Sequence, residues 1–402
     1  MFPAASLLTI LLLALSITAS PVEIRDSPIT LPIARRLNTS GGTINLLQHD
    51  QSRATALKTV DRDTLSRRTG NTVATNDVVC YTAAVGIGDP ATIYNLLVDT
   101  GSSLTWVSAA SYVKTSTSVD TGRPISSSYG SGTEYTDTVT LGNLTIIQQP
   151  IGVISESTFT GITVGVIGIG PLDLTEGILG GSPPTATIPT VTDNLYIQDM
   201  ISQIVVGVSF EPTTSESDTN GELTFGGIDA TKYTGAVAYT PLTTTEPASY
   251  YWGINESITY GSTTILSETA GIVDTGTTLI LIASNAFSAY QSATGAIEDE
   301  TTGLLLITST QYSALMNLNF NVGNNTYALT PNGQIWPRAL NTYIGGSTNY
   351  IYLIINDLGT PSGEGLDFIN GYTFLERFYS IFDTTNSQVG FATTAYTTAT
   401  TN

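Results

Sequence analysis

Histidine and cysteine are almost missing from this chain: its 402 residues hold one of each, His49 and Cys80. A single cysteine cannot close an internal disulfide or build a paired-thiolate metal knuckle, and a single histidine excludes multi-histidine metal sites. Beyond residue 49 the chain has no histidine at all. A Ser-His-Asp triad, a Cys-His pair and an HExxH zinc helix are therefore impossible there. No disulfide and no metal are expected. Cations are scarce too, with 13 Lys and Arg against 33 Asp and Glu and a formal net charge of −20. Such a surface repels phosphates and anionic headgroups, so neither nucleic acid nor a membrane is an expected partner. Charged residues make up only 11% of a chain rich in Gly, Ser, Thr and Tyr, which is the composition of an ordered β-rich protein. Its length suits two or three domains.

The few cations are crowded at one end. Residues 1–68 carry eight basic and five acidic residues, whereas the rest carries five basic and 28 acidic. A basic, removable segment ahead of an acidic body follows. Leu7 to Leu15 form an apolar run followed by the small residues Thr18, Ala19 and Ser20. This reads as a secretory signal over 1–20, too short for a membrane span. Residues 21–68 then read as a propeptide ending at the dibasic pair Arg67-Arg68. Secretion gives meaning to Asn-x-Ser/Thr sites, of which Asn143, Asn255 and Asn324 lie in the body and Asn38 in the leader.

From Thr69 onward the pattern is β. Apolar runs at Val78–Val85, Tyr94–Val98, Thr145–Ile147, Ile151–Ile154, Ile204–Val208 and Tyr350–Ile355 are separated by turn signals at Gly88-Asp89-Pro90, Gly142-Asn143, Asn220-Gly221 and Asn332-Gly333. Helical patterns are short: Asn194–Ile204, Ala283–Gly295 and Ser309–Met316. Cys80 lies inside an apolar strand and reads as a small core residue.

An internal duplication organises the body. Leu96-Leu97-Val98-Asp99-Thr100-Gly101-Ser102-Ser103-Leu104 is echoed by Gly271-Ile272-Val273-Asp274-Thr275-Gly276-Thr277-Thr278-Leu279. An aspartate at the tip of a tight turn between apolar strands is fixed in place. The glycine two residues on lets backbone N–H groups approach the carboxylate. The intervening Thr100 or Thr275 can reach across to the opposite copy, and the hydroxyl of Ser102 or Thr277 can donate to the outer carboxylate oxygen. Two such turns face to face cannot both ionise and hold one proton between them. One carboxylate then activates water while the other polarises a carbonyl, which is the chemistry of direct amide hydrolysis.

These motifs resemble those of pepsin-type aspartic peptidase zymogens, in the style of the secreted fungal, polyporopepsin-like enzymes. The resemblance implies an all-β bilobal fold with lobes at 69–245 and 246–402, and no cofactor. It implies Asp99 and Asp274 as the catalytic pair, supported by Thr100, Gly101, Ser102, Thr275, Gly276 and Thr277. Trp106 matches the buried tryptophan near the flap. Leu97, Ile272 and Thr278 fall near side-chain pockets, with apolar residues expected around the cut. Gly165–Gly170, Phe225-Gly226-Gly227-Ile228-Asp229, Tyr251-Trp252-Gly253-Ile254 and Phe368-Ile369-Asn370-Gly371 resemble family segments, with Asn370 standing where an apolar residue is usual. Tyr129-Gly130-Ser131 resembles the flap tip; Tyr135 is the alternative flap tyrosine, because Asp137 follows only eight residues after Tyr129.

The expected activity is a secreted, monomeric acid endopeptidase acting on protein or peptide substrates and held off by its own propeptide. Lys58 is the candidate to bridge the two aspartates. A catalytically silent binding protein of the same fold is the alternative. A glycosidase is disfavoured because its carboxylates stand several ångströms apart. Ser111 and Lys114 match S-x-x-K spacing without the accompanying Ser-Asp-Asn or Lys-Thr-Gly. Crowded carboxylates on the processed body are expected to repel one another, raising their pKa values and favouring stability at acid pH.

Overall fold

The computed structural model of the chain describes residues 28–37, 45–59, 79–157 and 163–402. The apolar run at 7–15, Asn38 and Arg67-Arg68 lie outside them. Among the described residues no helix is long and apolar enough to cross a membrane.

Two segments of residues 1–68 are built into the fold. Strand β1 (Ile29–Leu37) alternates buried and less buried side chains, the period of a half-covered strand. Helix α1 (Leu46–Lys58) starts at Asn45, whose side chain accepts the Gln48 N–H at 2.9 Å, a standard N-cap. Its buried residues Leu46, Asp50, Ala54 and Leu57 recur at helical spacing and form the face turned to the body.

In the first half, β2 (Val79–Ile87) and β3 (Thr92–Asp99) form a hairpin. They are followed by β4 (Trp106–Ser108), β5 (Val119–Ser127), β6 (Gly130–Leu141), β7 (Leu144–Ser157) and β8 (Gly165–Gly168). All belong to one sheet of 13 strands, and β2 also pairs with β6, which curls this part of the sheet on itself. The runs at 145–147 and 151–154 are parts of the single long strand β7. The helix expected at 194–204 is shorter and earlier, at Val191–Ile197, because Thr190 and Asp193 make a capping box there.

Strands β9 (Val205–Ser209) and β10 (Ser217–Phe225) lead to the second half. Asn220-Gly221, expected as a turn, lies within β10, and Gly221 pairs with Ile33 of β1. A Cβ there would stand 2.6 Å from Ile33 Cγ1, so the glycine serves the passage of the leader strand. Indeed β1 lies between β10 and β2, antiparallel to both.

The second half holds a seven-stranded sheet containing β11 (Gly253–Tyr260), β12 (Thr263–Val273), β13 (Ile280–Ile282) and β14 (Phe368–Asn370). The other two expected helices lie close to their expected positions, at Ser284–Thr294, which ends on left-handed Gly295, and at Ser309–Ala314, and an unexpected short helix lies at Tyr372–Leu375. Strands β15 (Phe378–Asp383) and β16 (Gln388–Thr393) then return to the large sheet, where β15 pairs with β9. The C-terminal strands thereby tie the two halves together.

Candidate active site

The two Asp-Thr-Gly turns arise in the same way. Asp99 ends β3, whose Leu97, Val98 and Asp99 run parallel to Val166, Ile167 and Gly168 of β8. Asp274 follows β12, whose Ile272 and Val273 run parallel to Ile369 and Asn370 of β14. Each turn is therefore the end of a buried strand wedged beside a parallel one, and both aspartates are 0% exposed.

The threonines interlock. Thr100 N donates to Thr275 Oγ1 and Thr275 N to Thr100 Oγ1, both at 2.9 Å. Thr100 Oγ1 donates to Val273 O at 3.1 Å, and Thr275 Oγ1 to Val98 O at 2.9 Å. Four buried hydrogen bonds thus fix one turn against the other. The approach is close enough to require glycine: a Cβ on Gly101 would stand 2.7 Å from Asp274 Oδ1, and one on Gly276 2.7 Å from Asp99 Oδ1.

Each carboxylate is held alike. Gly101 N donates to Asp99 Oδ1 at 2.9 Å and Ser102 Oγ to Asp99 Oδ2 at 2.5 Å. Gly276 N donates to Asp274 Oδ1 at 3.1 Å and Thr277 Oγ1 to Asp274 Oδ2 at 2.6 Å. The outer oxygens face hydroxyls, and the inner oxygens converge on a shared point.

That point is occupied by Arg53 of α1. Its Nη2 donates to Asp99 Oδ1 at 2.6 Å and to Asp274 Oδ1 at 2.9 Å, while Nε donates to Asp274 Oδ2 at 2.7 Å. Lys58, expected in this role, lies more than one helical turn further along. It donates instead to Thr360 Oγ1, with Glu364 Oε2 at 3.9 Å. The physical reason is the planar fork of the guanidinium, which spans two carboxylates where an ammonium offers a point charge. Asp50, on the same helix, accepts the Leu279 N–H at 2.7 Å just beyond the second turn. The signal for Arg53 lies in the helical spacing of 46–58, which sets Asp50, Arg53 and Leu57 on one side.

Burial works against charge on both partners. It lowers Arg53, but the carboxylates of Asp274 and Asp99 raise it well above the ordinary guanidinium value. Burial likewise raises Asp274, but the charge and hydrogen bond of Arg53, then Thr277 and Gly276, bring it below the ordinary carboxylate range. Elsewhere the raised carboxyls Glu222, Glu256 and Glu376 owe their shift first to burial, not to the mutual repulsion expected from net charge.

Tyr129 sits at the tip of the β5–β6 hairpin, and its hydroxyl lies 2.5 Å from Asp99 Oδ2 and 3.2 Å from Ser102 Oγ. Its ring stands 5.2 Å from that of Trp106. Tyr135 points elsewhere, its hydroxyl donating to Asp120 at 2.7 Å. Asp137, whose closeness to Tyr129 suggested a short hairpin, is a buried anchor for the hydroxyls of Tyr112, Thr117 and Ser118. Gly130 and Ser131 begin β6 at the flap tip, half-buried. Leu97 packs in a small cluster with Cys80, Leu104, Trp106 and Ile154. Ile272 is enclosed in the main core, and Thr278 is buried with its carbonyl accepting the Thr373 hydroxyl at 2.8 Å. Asn143, Asn255 and Asn324 are all exposed, although Asn255 Oδ1 accepts the Thr243 hydroxyl at 2.9 Å.

A bilobal β fold whose halves meet at paired Asp-Thr-Gly turns defines an aspartic peptidase. The comparisons agree: the family model for eukaryotic aspartyl proteases matches residues 80–394, and the chain belongs to that pepsin-like family. It is 62% identical over 341 residues to polyporopepsin of Irpex lacteus, covering 83% of this chain and 99% of that one. It is 29% identical over 311 residues to rhizopuspepsin-2 of Rhizopus niveus, covering 71% and 75% of the two chains. The crystal structure of the aspartic proteinase from Irpex lacteus superposes with a TM-score of 0.80 at 53% identity, over 94% of this chain and all of that one. The protein is an aspartic endopeptidase acting on protein or peptide substrates.

Proposed function

We propose that this chain is the secreted precursor of an acid endopeptidase, in which α1 lies across the catalytic pair and Arg53 neutralises it. The observation that carries the reading is the three hydrogen bonds from one guanidinium to Asp99 and Asp274. While Arg53 is present its charge and hydrogen bond hold the Asp274 carboxyl below the ordinary carboxylate range. Once it leaves, two buried carboxylates at that separation share one proton. A water replacing Nη2 is then held between the inner oxygens. The ionised carboxylate takes its proton as the oxygen attacks the scissile carbonyl, and the other carboxyl donates to the carbonyl oxygen, giving a tetrahedral diol. Collapse of the diol breaks the C–N bond and passes a proton to the leaving amine. Closing the Tyr129 hairpin over an extended peptide shields this sequence from bulk water.

The lock responds to acid in a definite direction. Asp274 is depressed in the closed precursor, so its contribution is present above its ordinary pKa and lost as pH falls through the depressed one. Acid therefore frees the leader, and cleavage near Arg67-Arg68 makes release permanent. We further assign residues 1–20 as a signal and 21–68 as the propeptide, the mature enzyme being a glycosylated monomer with lobes at 69–245 and 246–402. The test is hydrolysis of a denatured protein at a pH of about 4 by processed wild type, Asp99→Asn and Asp274→Asn. Wild type is expected to cut and neither variant to do so. Absence of turnover by the wild type across the acid range supports the silent binding protein instead.

A further inference from the structure

Directly beneath the second aspartate lies a polar pair with no part in the chemistry above. Glu256 on β11 and Asn370 on β14 are both fully buried. Asn370 Nδ2 donates to Glu256 Oε2 at 2.9 Å. The other oxygen of each side chain, Glu256 Oε1 and Asn370 Oδ1, is buried with no hydrogen-bond partner among the described residues. Two unsatisfied acceptors in one small site are costly, and a bare carboxylate among them more so. A single proton on Glu256 Oε1 removes both defects. The acid O–H then donates to Asn370 Oδ1 while the amide N–H donates to Oε2, closing a ring of two hydrogen bonds.

The pair is coupled to the site through the backbone. Asn370 is in register with Val273 and with Ile280, and its carbonyl accepts the N–H of Asp274 at 3.1 Å. We propose that Glu256 is a positioning residue for Asp274: protonated and doubly bonded to Asn370, it fixes the strand that holds the Asp274 turn, and loss of its proton releases that hold. The role rests on the reading of Asp274 as half of the catalytic pair.

The surroundings favour the protonated form. Burial raises the Glu256 carboxyl to about 8, only partly opposed by the Asn370 amide. Among the described residues no charged group contributes to that shift. On the neighbouring strands Asp274 is turned to Arg53 and Thr277, Glu268 is exposed, and Asp367, which precedes β14, accepts from Thr269, Gly363 and Glu364. A carboxyl raised in the folded state supports stability below its ordinary range, and that support is lost as pH rises through about 8. The device holds at the acid pH where the dyad works and fails at alkaline pH.

Infrared difference spectroscopy on the full chain reads the proton directly, without catalysis. At a pH of about 6, where exposed carboxyls are ionised, wild type should show one more protonated-carboxyl band than E256Q, and this band should vanish as the pH nears about 9. E256Q keeps both hydrogen bonds, amide to amide, with no proton to lose. The pH above which peptidase activity is not recovered on return to acid should therefore rise by about one unit. In E256A, which breaks the ring at every pH, kcat should fall about tenfold with KM little changed. Equal carboxyl bands in wild type and E256Q, or an unchanged alkaline limit, overturns the proposal. Should E256Q not fold, wild type decides alone: no protonated-carboxyl band at a pH of about 7 overturns it. If the band is present and Asp274→Asn still cuts peptides, the dyad reading fails while the pair stands.

Discussion

Replacing Arg53 by methionine should open the precursor to ligands it now excludes. Methionine keeps the apolar stem of the side chain and removes three hydrogen bonds and a charge from between two buried carboxylates. Removing one partner of a buried ion pair costs about 3–5 kcal/mol. Here the freed dyad can take up a proton, which recovers part of that loss, so the lower end, about 3 kcal/mol, is the better figure. At 1.36 kcal/mol per decade this is about a hundredfold in the equilibrium between closed and open leader. A ligand that needs the open form binds with an apparent affinity reduced by the open fraction. A peptide bearing a non-cleavable tetrahedral hydroxyl should therefore bind Arg53→Met about a hundredfold more tightly than wild-type precursor, measured near neutral pH by calorimetry. Arg53→Lys, a point charge without the fork, should fall between them. Equal binding by wild type and Arg53→Met would refute the idea that this guanidinium holds the leader shut. Lys58→Met serves as the contrast and should change binding far less, since Lys58 touches Thr360 and Glu364 and not the dyad.

Two other outcomes follow from the geometry. Ser102→Ala and Thr277→Ala each remove a hydrogen bond to an outer carboxylate oxygen, worth about 1.5–3 kcal/mol when the acceptor is charged. Thr277→Ala should move the acid limb of the pH–kcat/KM profile of the processed enzyme upward by about one unit or more, and an unmoved limb would show that this hydroxyl does not favour the ionised form of Asp274. Arg35 of β1 pairs with Glu376 at 3.3 Å, both buried. Arg35→Leu should destabilise the precursor by about 3 kcal/mol at neutral pH in denaturant titrations. The loss should shrink in acid, because Glu376, raised chiefly by burial, takes up a proton there.

Much of this was legible in the chain because the catalytic turns are local. Asp-Thr-Gly with a following hydroxyl is a compact instruction: three residues set the turn, and the flanking apolar residues bury it. Its repetition brings Asp99 and Asp274 together without knowledge of the sheet order. Tyr129 was legible only through the resemblance of Tyr129-Gly130-Ser131 to a flap tip, with Tyr135 as the alternative, and the structure sets the Tyr129 hydroxyl against Asp99. What escaped depends on long-range pairing. Nothing near Asn220-Gly221 says that a leader strand will cross there, so a good turn signal became part of β10. The choice between Arg53 and Lys58 depends on how α1 is docked, which its N-cap Asn45 and buried face decide together. Glu256 was hidden more completely. Glu256 shares the buried face of β11 with Ile254, Ile258 and Tyr260, but its partner is not known until the fold places Asn370 against it. Net charge also misled about the cause of the raised carboxyls, because burial acts on individual groups and composition describes only their sum.

On the proposed mechanism the point now held by Arg53 Nη2, within 2.6 Å of Asp99 Oδ1 and 2.9 Å of Asp274 Oδ1, is where the attacking water is activated. A crystal structure of the processed enzyme with the hydroxyl-bearing peptide tests it. The hydroxyl oxygen should lie at that point, in hydrogen-bond reach of both inner carboxylate oxygens, with the Tyr129 hairpin closed over the peptide. A hydroxyl contacting only one aspartate, or a peptide bound away from the two turns, would contradict it.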